Sequence, residues 1–252
     1  MNTHAIGLED GSRFALACVA LSLLGSLLGR HRKRRATREG RAPRPRKHTL
    51  LGFVVGQAII VCLLWGYYRA GGWTLESVGV SSRVSPATAL ATGFGEYWLF
   101  VYGVRALLAG LGVRLSYLRA SVRANATFFG GARRQRLALL TLIIVLNPFT
   151  EELLFRGLLV HQFALTDAPL WLALALGAGV NAVNHAYQGR LLVAFHLAFY
   201  AAVVALLYSP LGLLGAIGFH FGGDLVPLVS YRRQLAAYRN ARRLERAKAR
   251  AA

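Results

Sequence analysis

Cysteine is almost missing from this chain: only Cys18 and Cys62 occur in 252 residues, both within apolar runs and neither near a histidine in sequence. That excludes a disulfide framework and a cysteine-based zinc site, and leaves both as small core or lipid-facing residues. Acidic residues are scarce too, ten Asp and Glu against thirty Lys and Arg, for a formal net charge of +20. A charge of that size suggests a nucleic-acid binder, but such a protein spreads its basic residues over one face of a soluble domain. Here ten Lys and Arg fall within 30–47, six within 114–136 and eight within 232–250, with long, nearly uncharged runs between them. The clustering excludes nucleic acid as a partner. It fits a membrane protein whose arginines are confined to loops, in keeping with 55% hydrophobic residues and a mean hydropathy of +0.44. Anionic lipid headgroups are the expected partners of the basic runs, at roughly 1 kcal/mol per residue near the surface.

A helix that crosses the hydrocarbon core needs about 17–25 mostly apolar residues. Seven stretches satisfy this, at about 12–29, 49–68, 88–112, 137–161, 170–188, 191–208 and 211–230. The sequence therefore predicts an all-α, polytopic membrane bundle of about seven transmembrane helices. The first stretch is short, but its leader MNTHAIGLEDGSR is acidic and a run of cations follows, a stop-transfer pattern rather than a signal peptide. With seven spans, the basic clusters share one side and the other side holds only Arg69 and Arg83 among its basic loop residues. The N-terminus is thus expected outside and the C-terminus in the cytoplasm. Four regions follow: a first span and basic cytoplasmic loop at 1–48, accessory spans and a second basic loop at 49–136, a four-span core at 137–230, and a basic tail at 231–252. Leu235, Tyr238, Ala241 and Leu244 form one stripe of that tail, as in an amphipathic helix lying on the inner surface.

Ionisable residues inside spans mark functional sites by default. The core carries three polar pairs at i, i+4 spacing: Glu152 with Arg156 (Glu151 adjacent), Asn181 with His185, and His220 with Asp224. That spacing puts both members on one helical face. Three such faces, none able to point at lipid, are expected to converge on an interior pocket. Each pair alone has a plain structural explanation. Glu152 and Arg156 neutralise each other, His185 hydrogen-bonds Asn181 or a neighbouring helix, and His220 with Asp224 form a pair near a span end. Glu151, about 100° round the helix from Glu152, is left without a local partner. His196 lies mid-span without a neighbouring acid and reads as a core histidine.

Burial and a nearby arginine act on a carboxylate in opposite senses, so one glutamate of the pair can serve as a general base. His220 and a donor one turn away can stabilise an oxyanion. Alternatively, His185, His220 and Asp224 can hold a divalent metal such as zinc with an open water position. Both routes activate water for attack on an acyl group. With no Ser or Cys beside a base, a covalent acyl-enzyme has no support.

The segment EELLFRG at 151–157 resembles the EExxxR motif of the CPBP family of intramembrane proteases, which includes type II CAAX prenyl proteases and bacteriocin-processing or immunity proteins. His185, 33 residues beyond Glu152, and His220-Phe-Gly-Gly-Asp224 follow in the family's order, and the resemblance covers about 137–230. The stretch GWTLESVGV at 72–80 is weakly similar to the one that precedes the core in these proteins. The resemblance implies Glu151 as water-activating base and Glu152 and Arg156 as supporting partners. It implies that His185 assists the base or binds metal, and that His220 with Asp224 forms the oxyanion or metal side. Asn181 stands where the second motif usually has Phe, and Asp224 replaces the Asn of the CAAX branch.

The expected function is intramembrane peptide-bond hydrolysis in a membrane-anchored protein or peptide, in a bacterial inner membrane, with no cofactor or a divalent metal. The bacterial assignment follows from arginines that greatly outnumber lysines, as in high-GC coding. A non-catalytic scaffold or immunity-type protein and a proton-coupled transporter are the alternatives.

Overall fold

The computed structural model describes residues 10–11, 13–18, 20, 46–129, 134–166 and 169–251. Most of the first expected span and nearly all of the basic loop at 30–47 lie outside the described residues. Every regular element among the described residues is helical: α1 (Arg46–Arg69), α2 (Pro86–Gly110), α3 (Arg114–Phe129), α4 (Arg134–Glu151), a π-helix (Glu152–Gln162), α5 (Leu170–His185), a 3₁₀ turn (Ala186–Gln188), α6 (Arg190–Leu207) and α7 (Gly212–Ala251). Among the described residues, three stretches are long and apolar enough to cross a membrane, Leu51–Arg69, Arg190–Leu207 and Gly212–Asn240. On α1 the stripe Leu51, Val55, Ile59 and Leu63 is exposed.

Local chemistry sets several boundaries. Ser85 caps α2 by accepting from the Thr88 amide at 3.1 Å, and Pro86 follows at the first helical position, where its missing N–H costs nothing. The left-handed backbone of Gly71 and Gly79 folds the connector at 70–85 back on the bundle. Val78 of that connector is fully buried against Gly157, and the Gly79 carbonyl accepts from the Leu213 amide at 2.8 Å. The stretch 72–80 thus docks both the π-helix and the start of α7. Residues 13–18 are helical, and Ala15 and Cys18 join Leu64, Val78, Leu154 and Leu158 in one core cluster.

Helix α7 is central, packing on α2, α3, α4, α6 and the π-helix. Its crossing with α2 is close because glycines stand on both sides. A Cβ at Gly93 would run into the Gly215 carbonyl, and one at Gly218 into the Leu90 carbonyl. Both obstacles are backbone, so they cannot swing aside. Gly218→Val is expected to cost about 1–3 kcal/mol by overpacking, read as a lowered midpoint of thermal unfolding in detergent. An unchanged midpoint would show that the crossing is looser than described.

The region 113–136 contains α3, which packs on α7 through Arg119 Nε donating to the Tyr238 hydroxyl at 3.2 Å and Ser121 donating to Gln234 at 3.2 Å. The basic tail is helical and continues α7, which runs for 40 residues. Pro227 stands inside that helix, close to the change from apolar to basic residues, without ending it, and α3 gives the extension a packing partner.

Candidate active site

The first acidic motif lies where the helix changes form. Pro148, inside α4, offers no amide to the preceding turn. From Glu152 the chain continues as a π-helix, a rare wide form that occurs mostly at functional sites. Nothing in the sequence announces this change.

The two glutamates separate sharply. Glu152 is fully buried, whereas the Glu151 side chain keeps 31% of its exposure. Glu152 Oε2 lies 3.2 Å from Arg156 Nε, and its Oε1 lies 2.5 Å from His220 Nδ1. Both of its oxygens are therefore committed within the protein. Arg156, almost as buried, also lies over the Tyr200 ring at 5.1 Å from its centre. The Tyr200 hydroxyl donates to the Leu174 carbonyl at 3.0 Å, which ties α6 to α5.

Held at Nδ1 by Glu152, His220 turns its other nitrogen toward two further acids. His220 Nε2 lies 3.9 Å from Glu151 Oε2 and 3.9 Å from Asp224 Oδ1. Both gaps exceed hydrogen-bond length and can take a bridging polar group. Phe199 packs edge-on against the His220 ring at 5.3 Å between ring centres. Asp224 is held at its second oxygen, where the Asn147 amide donates at 3.1 Å. Glu151, Glu152, Arg156, His220 and Asp224 thus form one cluster built from α4, the π-helix and α7.

His185 stands apart. Its ring stacks on that of His196, with centres 3.5 Å apart and planes at 10°, and Gln188 bridges the two by contacts of 3.2 Å to His185 Nδ1 and 3.0 Å to His196 Nε2. Of the two partners expected for His185, Asn181 is not the one it meets: Asn181 donates to the His196 carbonyl at 2.9 Å, and His185 meets Gln188 and the ring of His196 on α6. The 3₁₀ turn after α5 is the reason: it brings Gln188 back under His185 and sets α6 alongside. His185, His220 and Asp224 consequently do not come together as a metal-binding set. Among the described residues no group of three His, Cys, Asp or Glu is arranged to hold a metal ion.

Sequence reasoning passed over Gln188 and His196, and also Asn147, Thr150 and Gln57. Asn147 could have been found, since it lies one helical turn before Glu151. Gln57 is the single amide in the otherwise apolar run 49–68. His196 could not be found, because its partner approaches through a turn that periodicity does not reveal.

Residues 133–226 match the model of a protein family described as Type II CAAX prenyl endopeptidase Rce1-like. The match covers α4, the π-helix, α5 and α6, together with α7 as far as Val226. No curated protein and no solved structure matches the chain.

Proposed function

We propose that this protein, whose residues 133–226 match the model of Rce1-like type II CAAX prenyl endopeptidases, is a multi-pass membrane peptidase that hydrolyses a peptide bond of a membrane-anchored protein or peptide. The observation that carries the reading is the division of labour between the glutamates. Glu152 is enclosed, one oxygen paired in charge with Arg156 and the other bonded to His220, and the Glu151 side chain beside it is partly exposed.

In this reading Glu151 takes a proton from a water placed between it and His220. The water oxygen attacks the scissile carbonyl carbon and a tetrahedral oxyanion forms. His220 Nε2, set by the Glu152 hold on Nδ1, stabilises the oxyanion and passes a proton to the departing nitrogen as the C–N bond breaks. The products are a carboxylate and an amine. Asp224 faces the same nitrogen and keeps the imidazole turned to the cleft. His185, with its ring fixed against His196, lines the site on the side of α5 and α6. The mechanism routes no step through a metal: among the described residues no three His, Cys, Asp or Glu side chains are arranged to hold one.

The exposed apolar stripe on α1 and the three apolar stretches fit a chain embedded in lipid. The arginine-rich tail of α7 then lies at the anionic inner face of a bacterial inner membrane, with the C-terminus in the cytoplasm.

The test uses the purified full chain in liposomes and a panel of peptides anchored by a prenyl group, an acyl chain or a transmembrane segment. Mass spectrometry of the products reads cleavage with and without chelator. Cleavage of at least one anchored peptide, insensitive to chelator, is expected. Cleavage lost to chelator and restored by zinc would overturn the metal-free roles. No cleavage of any peptide, with proton-dependent uptake instead, would replace the peptidase by a transporter. His196→Phe, which keeps a ring to stack on His185 but removes the contact to Gln188, is expected to lower kcat about tenfold through loss of positioning; kinetics of that variant on the cleaved peptide check it, and unchanged kcat would leave the histidine pair a packing feature.

A further inference from the structure

A line of buried amides leads away from the site into α1, outside the segment matched by the family. Gln57, Asn147 and Thr150 are 6%, 8% and 3% exposed. Asn147 Nδ2 donates to Asp224 Oδ2 at 3.1 Å, Gln57 Nε2 donates to Asn147 Oδ1 at 2.9 Å, and the Thr150 hydroxyl donates to Gln57 Oε1. The direction of this chain is set at its inner end. A carboxylate oxygen only accepts, so the Asn147 side must present its N–H₂ to Asp224. That leaves the Asn147 carbonyl for Gln57, and the Gln57 carbonyl for Thr150. The two amides fix each other, and neither can flip without leaving a buried polar group unmade, while the Thr150 hydroxyl also lies within reach of the Leu146 and Asn147 carbonyls at 3.0 and 3.1 Å.

We infer that Gln57 of α1 is a positioning residue for the site: through Asn147 it holds the Asp224 carboxylate toward His220 Nε2. The inference rests on the peptidase reading above, and it adds an accessory helix to the catalytic apparatus. Amide pairs between helices in a membrane otherwise act as glue, worth about 0.6 kcal/mol on average. The Gln57–Asn147 pair alone would serve that purpose. What glue does not require is the third bond, which ends on the one carboxylate oxygen of Asp224 that does not face His220.

The experiment is a double-mutant cycle on cleavage by the full chain in liposomes, with Gln57→Leu, Asp224→Ala and the double variant. Gln57→Leu should lower kcat about ten- to a hundredfold with KM near wild type, and should lower the unfolding midpoint as well because the buried Asn147 carbonyl loses its donor. In the Asp224→Ala background the same substitution should lower kcat no further, because the chain no longer reaches the site. Effects that simply multiply would overturn the inference and leave Gln57 as glue. So would full kcat in Gln57→Leu when Glu151→Gln is dead, an outcome that leaves the peptidase reading standing. A second measurement needs no turnover. With asparagine-selective ¹⁵N labelling, the side-chain amide signal of Asn147, identified by its loss in Asn147→Asp, should move in both Asp224→Ala and Gln57→Leu. A signal that stays in place in either variant would overturn the chain.

Discussion

Glu151→Gln is expected to lower peptide cleavage by about 10²–10⁴-fold, the range a general base supplies, while the protein keeps its fold. Glutamine has nearly the same shape as glutamate but cannot take a proton from water. The position is partly exposed, and its nearest charged partner, His220 Nε2, is 3.9 Å away. No direct hydrogen bond is therefore lost to the substitution. The unfolding midpoint should stay near that of wild type, and KM should change little, since the lost interaction belongs to the transition state. Steady-state kinetics on one cleaved peptide, with thermal unfolding alongside, check both halves. A Glu151→Gln variant that retains cleavage would move the base elsewhere in the cluster.

Arg156→Met is expected to be among the most destabilising single substitutions in the chain. It removes the guanidinium 3.2 Å from a carboxylate with no exposure and leaves Glu152 with His220 as its one remaining charged partner. Breaking a buried pair in this way costs about 3–5 kcal/mol. It also strips the cation from the Tyr200 ring, worth about 0.5–2 kcal/mol. Adding Glu152→Gln to Arg156→Met should recover much of the lost stability, because the uncompensated charge goes with it. Activity should not return, since His220 then lacks the carboxylate that holds Nδ1. Thermal unfolding of the two single variants and the double variant checks this. A single variant as stable as wild type would mean that the pair contributes nothing to the fold.

The split between what the sequence revealed and what it hid follows from the range of each interaction. Glu152 and Arg156 were legible because i, i+4 partners meet within one helix, and they do meet. His220 and Asp224 share a face of α7 by the same rule, yet stay 3.9 Å apart because Asp224 is drawn to Asn147 of another helix. Asn181 and His185 obey the spacing and still do not pair, since α6 offers Asn181 a backbone carbonyl and the 3₁₀ turn offers His185 a glutamine. Periodicity speaks of faces; it does not say which neighbouring helix will claim the polar group on that face. For a related reason, spacing alone could not divide the roles of the two glutamates, which came only from the family resemblance. Adjacent residues point in different directions, but only the packing of α7 decides that Glu152 is enclosed and Glu151 open. The continuous α7 was missed because a change from apolar to basic residues, with Pro227 just before it, reads as a boundary, although the helix runs through that proline.

The central claim is that the two neighbouring glutamates have different tasks, one activating water and one holding Arg156 and His220 in place. One set of parallel measurements tests it most directly: kcat for cleavage of one anchored peptide, and the unfolding midpoint, for wild type, Glu151→Gln and Glu152→Gln in the same liposomes. The account predicts that Glu151→Gln loses cleavage at a near-normal midpoint, and that Glu152→Gln loses cleavage together with stability. Cleavage retained by Glu151→Gln and lost by Glu152→Gln at an unchanged midpoint would contradict it.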